Sequence, residues 1–319
     1  MSVFTPVDTQ ELQHFLRYYA AGSLLDYAGI ESGVENSNFF VTTTQGEYVL
    51  TLFEQHKAPE LDYFLHLMTH MQEAGLPTAR PLYDREGHLL RDLNGKPAAL
   101  VTRLPGQTID HPTPAQCAEL GAALARLHLA GTQFAFYRPP DRGHVWRMQT
   151  ARHILPTLNP DEAALLAAEI AQQASIPFSH LPNGVIHADL FRDNTLFDQG
   201  HLSGILDWYY ACNDSWLYDL AIVANDWCSE ASGRLDAERL FACLVAYHQI
   251  RPLQALEQQH WAGILRAAAL RFWLSRLLAV LEPRPGNLVL QKDPAEFRDR
   301  LQYQQTETAL IRACWPVAL

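Results

Sequence analysis

The sequence has no basic run. Its 24 Lys and Arg are scattered among 35 Asp and Glu, for a formal net charge of -11. A nucleic-acid partner needs a positive stripe, so none is expected. Cysteine is scarce and unpatterned: Cys117, Cys212, Cys228, Cys243 and Cys314 are odd in number and form no CxxC pair. That excludes a disulfide framework and a zinc site, and leaves buried reduced thiols. Nor is there a long uninterrupted apolar run. The longest candidate, Trp261 to Leu281, contains Arg266, Arg271 and Arg276, so it predicts a buried helix rather than a membrane span. Met1-Ser-Val-Phe-Thr-Pro6 has neither a basic nor an apolar segment, so no signal peptide is expected. A cytoplasmic location with no membrane partner fits these absences.

What is present suits an ordinary globular protein. At 319 residues with 48% hydrophobic content, the chain supports about two lobes. Phe39–Thr43 and Tyr48–Phe53 are β-rich, with Gln45-Gly46 between them as a turn, and predict a hairpin. Leu61, Phe64, Leu65, Met68 and Met71 recur at helical spacing, and Gly75 ends that helix. The pair His66 and His70 has metal-like spacing but no acidic neighbour where one is needed, which places it on a solvated helix face. Beyond Pro105-Gly106 the pattern is mostly helical, with helices around 117–128, 163–170, 220–227, 235–248 and 258–281. Short strands at 184–186, 195–197 and 203–206 interrupt it. The composition shift divides a β-rich N-terminal lobe, 1–104, from a helical C-terminal lobe, 105–319.

The strongest chemical signal is His187-Ala-Asp189-Leu-Phe-Arg-Asp-Asn194, followed by Asp207 in Gly-Ile-Leu-Asp-Trp. Phosphoryl transfer from ATP needs one carboxylate facing the acceptor hydroxyl and oxygen ligands for Mg²⁺. Asp189 suits the first role, as a base that orients the hydroxyl and takes its proton. Asn194 offers a neutral oxygen and Asp207 a charged one for the metal. His187 fits a brace for the loop backbone better than a base or ligand.

The HxDxxxxN pattern with its downstream Asp resembles the aminoglycoside phosphotransferase and choline kinase branch of the protein-kinase-like fold. Within that branch, Val185–Asn194, Gly204–Ile222, Asn225–Cys228, Ala269–Leu277 and Glu35–Glu54 resemble the bacterial homoserine kinases of the kinase-like type. The resemblance spans both lobes. It implies an α+β, bilobal kinase-like fold, ATP and Mg²⁺ as cofactors, and L-homoserine as small-molecule substrate. The product would be O-phospho-L-homoserine, the precursor of threonine. By motif position it makes Asp189 the catalytic base, Asn194 and Asp207 the Mg²⁺ ligands, and Asp219 a support that caps the following helix and braces the catalytic loop.

The chain departs from the wider family at one place. Thr51 stands where many kinase-like enzymes carry a strand lysine for the phosphates, and Lys57 lies past the strand. Phosphate holding then falls to backbone groups of the loop that carries Gly33, Asn36, Ser37 and Asn38, or to a more distant Arg. Val101, Arg103 and Leu104 form the expected nucleotide hinge. A zwitterionic acceptor calls for a guanidinium and a carboxylate or aromatic face; Asp226, Trp227, Arg271 and Trp273 are the candidates. Two rival readings are a kinase for another amino alcohol, choline or an aminoglycoside, and a non-catalytic nucleotide-binding protein.

Overall fold

A computed structural model describes residues 4–30, 36–282 and 292–316. The chain divides into two units. One runs to Gly106 and also takes Ser203–Tyr209; the other holds Gln107–Leu202 and the chain from Tyr210 onward.

The first unit begins with α1 (Thr9–Leu16). Asp8 caps it: its carboxylate accepts the Glu11 N–H at 2.9 Å, and Glu11 returns the bond to the Asp8 N–H at 2.7 Å. Next come β1 (Leu24–Gly29), β2 (Ser37–Thr43), β3 (Gly46–Leu52), α2 (Ala58–Glu73), β4 (Arg91–Leu93) and β5 (Lys96–Thr102). The strands form one antiparallel sheet in the order β1-β2-β3-β5-β4. Period-two alternation along β2 buries Ser37, Phe39, Val41 and Thr43. Phe39 and Val41 join Leu50 and Leu100 in a core shared with Leu12, Phe15 and Leu16 of α1. His66 and His70 of α2 are half-buried rather than fully solvated.

The second unit supplies α3 (Pro114–Gly131), α4 (His144–Ile154), α5 (Pro160–Gln173), β6 (Asn183–Ile186), β7 (Thr195–Asp198), β8 (His201–Ile205), β9 (Cys212–Ser215), α6 (Trp216–Trp227), α7 (Ala237–Ile250), α8 (Ala255–Leu281), α9 (Ala295–Thr306) and α10 (Thr308–Ala313). The last residues of β8 belong to the first unit. Gln199 and Gly200 turn the chain between β7 and β8, both at positive φ. β6 and β9 pair antiparallel. Gly121 lets α3 lie directly on α7: a Cβ there would stand 2.4 Å from the Cys243 carbonyl oxygen. All five cysteines are free and buried. Among the described residues no helix is long and apolar enough to cross a membrane.

Candidate active site

The site is built on the loop that leaves β6. His187 is fully buried, and its Nδ1 lies 3.3 Å from the Asp189 N–H, which donates to it. The imidazole therefore braces the loop. Ala188 sits at φ +64, a left-handed conformation that costs a non-glycine residue about 1–2 kcal/mol. Three bonds hold the loop there. The Asp219 carboxylate accepts the His187 and Ala188 N–H groups, both at 2.8 Å. Arg271 donates through Nη1 to the Ala188 carbonyl.

Asp219 lies inside the first turn of α6, while Ser215 is that helix's N-cap. It braces the loop but does not cap the helix, because its oxygens point to the loop amides. Behind it runs a buried relay: the Tyr247 hydroxyl donates to His128 Nδ1 at 2.7 Å, and His128 Nε2–H donates to Asp219 at 3.1 Å. The close α3–α7 packing at Gly121 is what sets His128 and Tyr247 side by side. Burial depresses the His128 imidazole, against the pull of Asp219. Burial would lift the Asp219 carboxyl, but the His128 hydrogen bond and the His187 N–H keep it below the carboxylate range.

Asp189 is half-buried, with Arg271 Nη2 at 3.7 Å from its Oδ1. Asn194 donates its Nδ2–H to the Asp189 carbonyl at 2.8 Å and to Asp189 Oδ2 at 3.3 Å. Its carbonyl oxygen is thereby left for another ligand. A short 3-10 turn, Arg192–Asn194, fixes this spacing, with the Asn194 N–H bonded to the Phe191 carbonyl at 3.0 Å.

The four acceptor candidates fall in different places. Arg271 is buried and lines a cavity beside the loop. Asp226 is bound by Arg192 through its backbone N–H at 2.8 Å and a two-pronged guanidinium contact at 3.1 Å; its carboxylate is spent on anchoring the loop. Trp227 and Trp273 are fully buried core side chains. The cavity is narrow, about 10 Å³, and is walled by Arg142, Ala188, Tyr210, Asp214, Tyr218 and Arg271, among others. Sequence reasoning passed over Asp214, His128 and Tyr247. For His128 the signal was there, since it stands on the apolar stripe of Leu120, Leu124 and Leu127, and a buried polar group needs partners.

In the first unit, Asp207 is exposed and sits at φ +53. Its neighbours hold it: Ile205 bridges Thr78 in parallel, with the Ile205 N–H 2.6 Å from the Pro77 carbonyl oxygen. Trp208 is fully buried, and Tyr209 packs edge-on to Phe53 and Phe64 at 5.2 and 5.7 Å. Of the expected nucleotide contacts, Gly33 lies outside the described residues. The Ser37 side chain is sealed inside, accepting from the Phe4 and Thr5 N–H groups and donating to Glu54 at 2.7 Å. That side chain is fully occupied, which leaves only the backbone of Ser37 for the expected phosphate contact. Asn36 accepts the Glu54 N–H at 3.4 Å, and Asn38 accepts the Thr51 hydroxyl at 2.7 Å. Val101 pairs with Val49 within the sheet. Arg103 folds back over Phe40 and toward Glu47. The backbone of Leu104 makes no hydrogen bond among the described residues. Lys96 pairs with Glu54 at 3.0 Å.

Residues 26–253 match the family model described as "Phosphotransferase enzyme family". The homoserine kinase of Methylobacillus flagellatus is 48% identical over 315 residues, covering 99% of both chains. That of Cupriavidus pinatubonensis is 46% identical over 97% of this chain and 98% of its own. Among solved structures, a spectinomycin phosphotransferase in complex with ADP and spectinomycin matches with a TM-score of 0.69 at 12% identity, over 97% of this chain and all of its own. The amicoumacin kinase hAmiN in complex with AMP-PNP, Ca²⁺ and Ami matches at 0.68 and 14%, over 98% and 96%. At those identities the two structures establish the kinase-like α+β fold alone. The long, near-half identity to curated sequences establishes more: the chain belongs to the phosphotransferase enzyme family, in the company of its homoserine kinases.

Proposed function

We propose that the protein transfers the γ-phosphoryl group of ATP to the side-chain hydroxyl of L-homoserine, giving O-phospho-L-homoserine and ADP. The observation that carries this is the full-length identity to homoserine kinases, joined to a braced loop that presents the Asp189 carboxylate. The acceptor hydroxyl donates its hydrogen bond to Asp189, which aims the oxygen at the γ-phosphorus. As the new O–P bond forms and the bond to the β-γ bridging oxygen breaks, Asp189 takes the hydroxyl proton and later returns it to solvent. Arg271 keeps that carboxylate oriented and is our candidate for the acceptor's own carboxylate.

Asn194 and Asp207 fit a magnesium ion by chemistry: both are hard oxygen donors, and Asn194 turns its nitrogen to Asp189. When bound, the ion supplies positive charge to the phosphate oxygens. The free backbone of Leu104 suits an adenine edge, and Asn36 and Asn38 remain candidates for the phosphate side.

The test is a coupled assay with ATP, Mg²⁺ and L-homoserine, set against choline and kanamycin. Turnover confined to L-homoserine is expected. Absence of turnover on L-homoserine would overturn the reading.

A further inference from the structure

The cavity beside the catalytic loop contains a carboxylate that the reaction as described does not use. Strand alternation places Cys212 and Asp214 of β9 on its wall, while Asn213 turns the other way and accepts the Arg138 N–H at 3.0 Å. One oxygen of Asp214 accepts the Ser215 N–H at 2.7 Å. No hydrogen bond reaches the other oxygen among the described residues.

The nearby cations do not neutralise Asp214. Arg147 is fully buried, but its guanidinium lies 4.4 Å over the Tyr218 ring and donates to the Arg142 carbonyl at 3.3 Å. Arg271 donates to Ala188. Neither forms an ion pair with Asp214. Burial pushes the Asp214 carboxyl up, with Arg147 and the Ser215 N–H only partly offsetting it, so a charged partner in the cavity would relieve it. On the same wall, Arg271 Nε is buried and has no hydrogen-bond partner. An under-satisfied carboxylate and an orphaned guanidinium N–H thus share one small cavity.

A zwitterion answers both. We propose that Asp214 is the receptor for the α-ammonium group of the acceptor, while Arg271 Nε takes its α-carboxylate. The assignment rests on the amino-acid acceptor proposed above and extends it. The cavity must widen to admit an amino acid; an α-carbon then held between these two groups sets its side chain on the Ala188 side, next to Asp189, which Arg271 approaches at 3.7 Å. A choline-like or plain amino alcohol would leave Arg271 unanswered, and a hydroxy acid would leave Asp214 unanswered. Selectivity for a hydroxyl-bearing amino acid follows.

The experiment compares wild type and Asp214→Asn on L-homoserine and on 4-hydroxybutanoate, which lacks only the ammonium group. Wild type should use 4-hydroxybutanoate at least about tenfold less efficiently than L-homoserine, the scale of a lost charge-assisted bond. Asp214→Asn should raise KM for L-homoserine at least about tenfold with kcat nearly kept, and leave 4-hydroxybutanoate within about twofold. Equal losses on both substrates would mark a structural role and overturn the assignment, as would an unchanged KM for L-homoserine. Should Asp214→Asn not fold, the wild type still decides: 4-hydroxybutanoate binding as tightly as L-homoserine, by turnover or as an inhibitor, overturns it. Wild type inactive on L-homoserine would instead bring down the proposed function, and this assignment with it.

Discussion

The N–H of Ala188 lies 2.8 Å from the Asp219 carboxylate, across 31 residues of sequence. One buried acid thus holds the strained residue beside the proposed base. Replacing it by Asp219→Asn keeps the shape but puts an amide NH₂ where three donors converge. At least one donor then loses its acceptor, at about 1–3 kcal/mol. We expect the urea midpoint and kcat to fall together, since the loop that aims Asp189 is the element released. A variant with wild-type kcat would show that the loop does not depend on this acid.

The same acid and its neighbour His128 shape the response to pH. His128 is depressed below its ordinary 6.5 by burial. The unfolded chain therefore takes up a proton that the folded chain refuses, and stability is intact above about 6.5 and lost as pH falls below it. Asp219 is held below its ordinary 3.8; its contribution is present above that value and lost as pH falls through the lower, folded one. Wild type should thus lose stability in two stages on acidification. His128→Gln should remove the first, measured as the difference in urea midpoint between about pH 7.5 and 5. An unchanged difference would show that His128 is not the group responsible.

The parts of this network were unequally visible in the chain. The Phe39–Thr43 hairpin, the 61–71 helix and the Asp189-to-Asn194 spacing are local, and period and turn residues reveal them. β9 reads Cys-Asn-Asp-Ser, with no strand propensity, and becomes a strand only because β6 pairs with it. β1 has an exposed, irregular burial pattern. The membership of Ser203–Tyr209 in the first unit depends on pairing with Thr78, 127 residues away from Ile205. The anchoring role of Asp226 was hidden for a related reason: a motif shows which residues are polar, not that Arg192 will occupy the carboxylate. The Asp8–Glu11 capping box was legible and was passed over.

Asp189→Asn removes the proton acceptor while leaving the backbone bonds of the loop in place. We expect kcat on L-homoserine to drop at least about a hundredfold, with thermal stability close to wild type. Near-wild-type turnover would mean that another group receives the hydroxyl proton.

Gly121→Ala tests the support from a distance. The added methyl would meet a backbone carbonyl of α7 at 2.4 Å, which cannot rotate away as a side chain would. Overpacking of this kind costs about 1–3 kcal/mol. Because α3 and α7 also carry His128 and Tyr247, kcat should fall along with the denaturation midpoint. A stable, fully active variant would show that the relay tolerates a wider helix spacing.

Asp207→Asn separates metal holding from the base. The side chain is exposed, so the change removes a negative charge without opening the core. Its left-handed backbone suits Asn as well as Asp, so the segment held by Ile205 and Trp208 should keep its conformation. A metal site that loses its charged ligand needs more ion to fill. The Mg²⁺ concentration for half-maximal rate should therefore rise at least about tenfold, the scale of one lost charge-assisted contact. KM for L-homoserine should change little at saturating Mg²⁺. An unaltered Mg²⁺ requirement would remove Asp207 from the proposed ligand set and leave Asn194 as its remaining member.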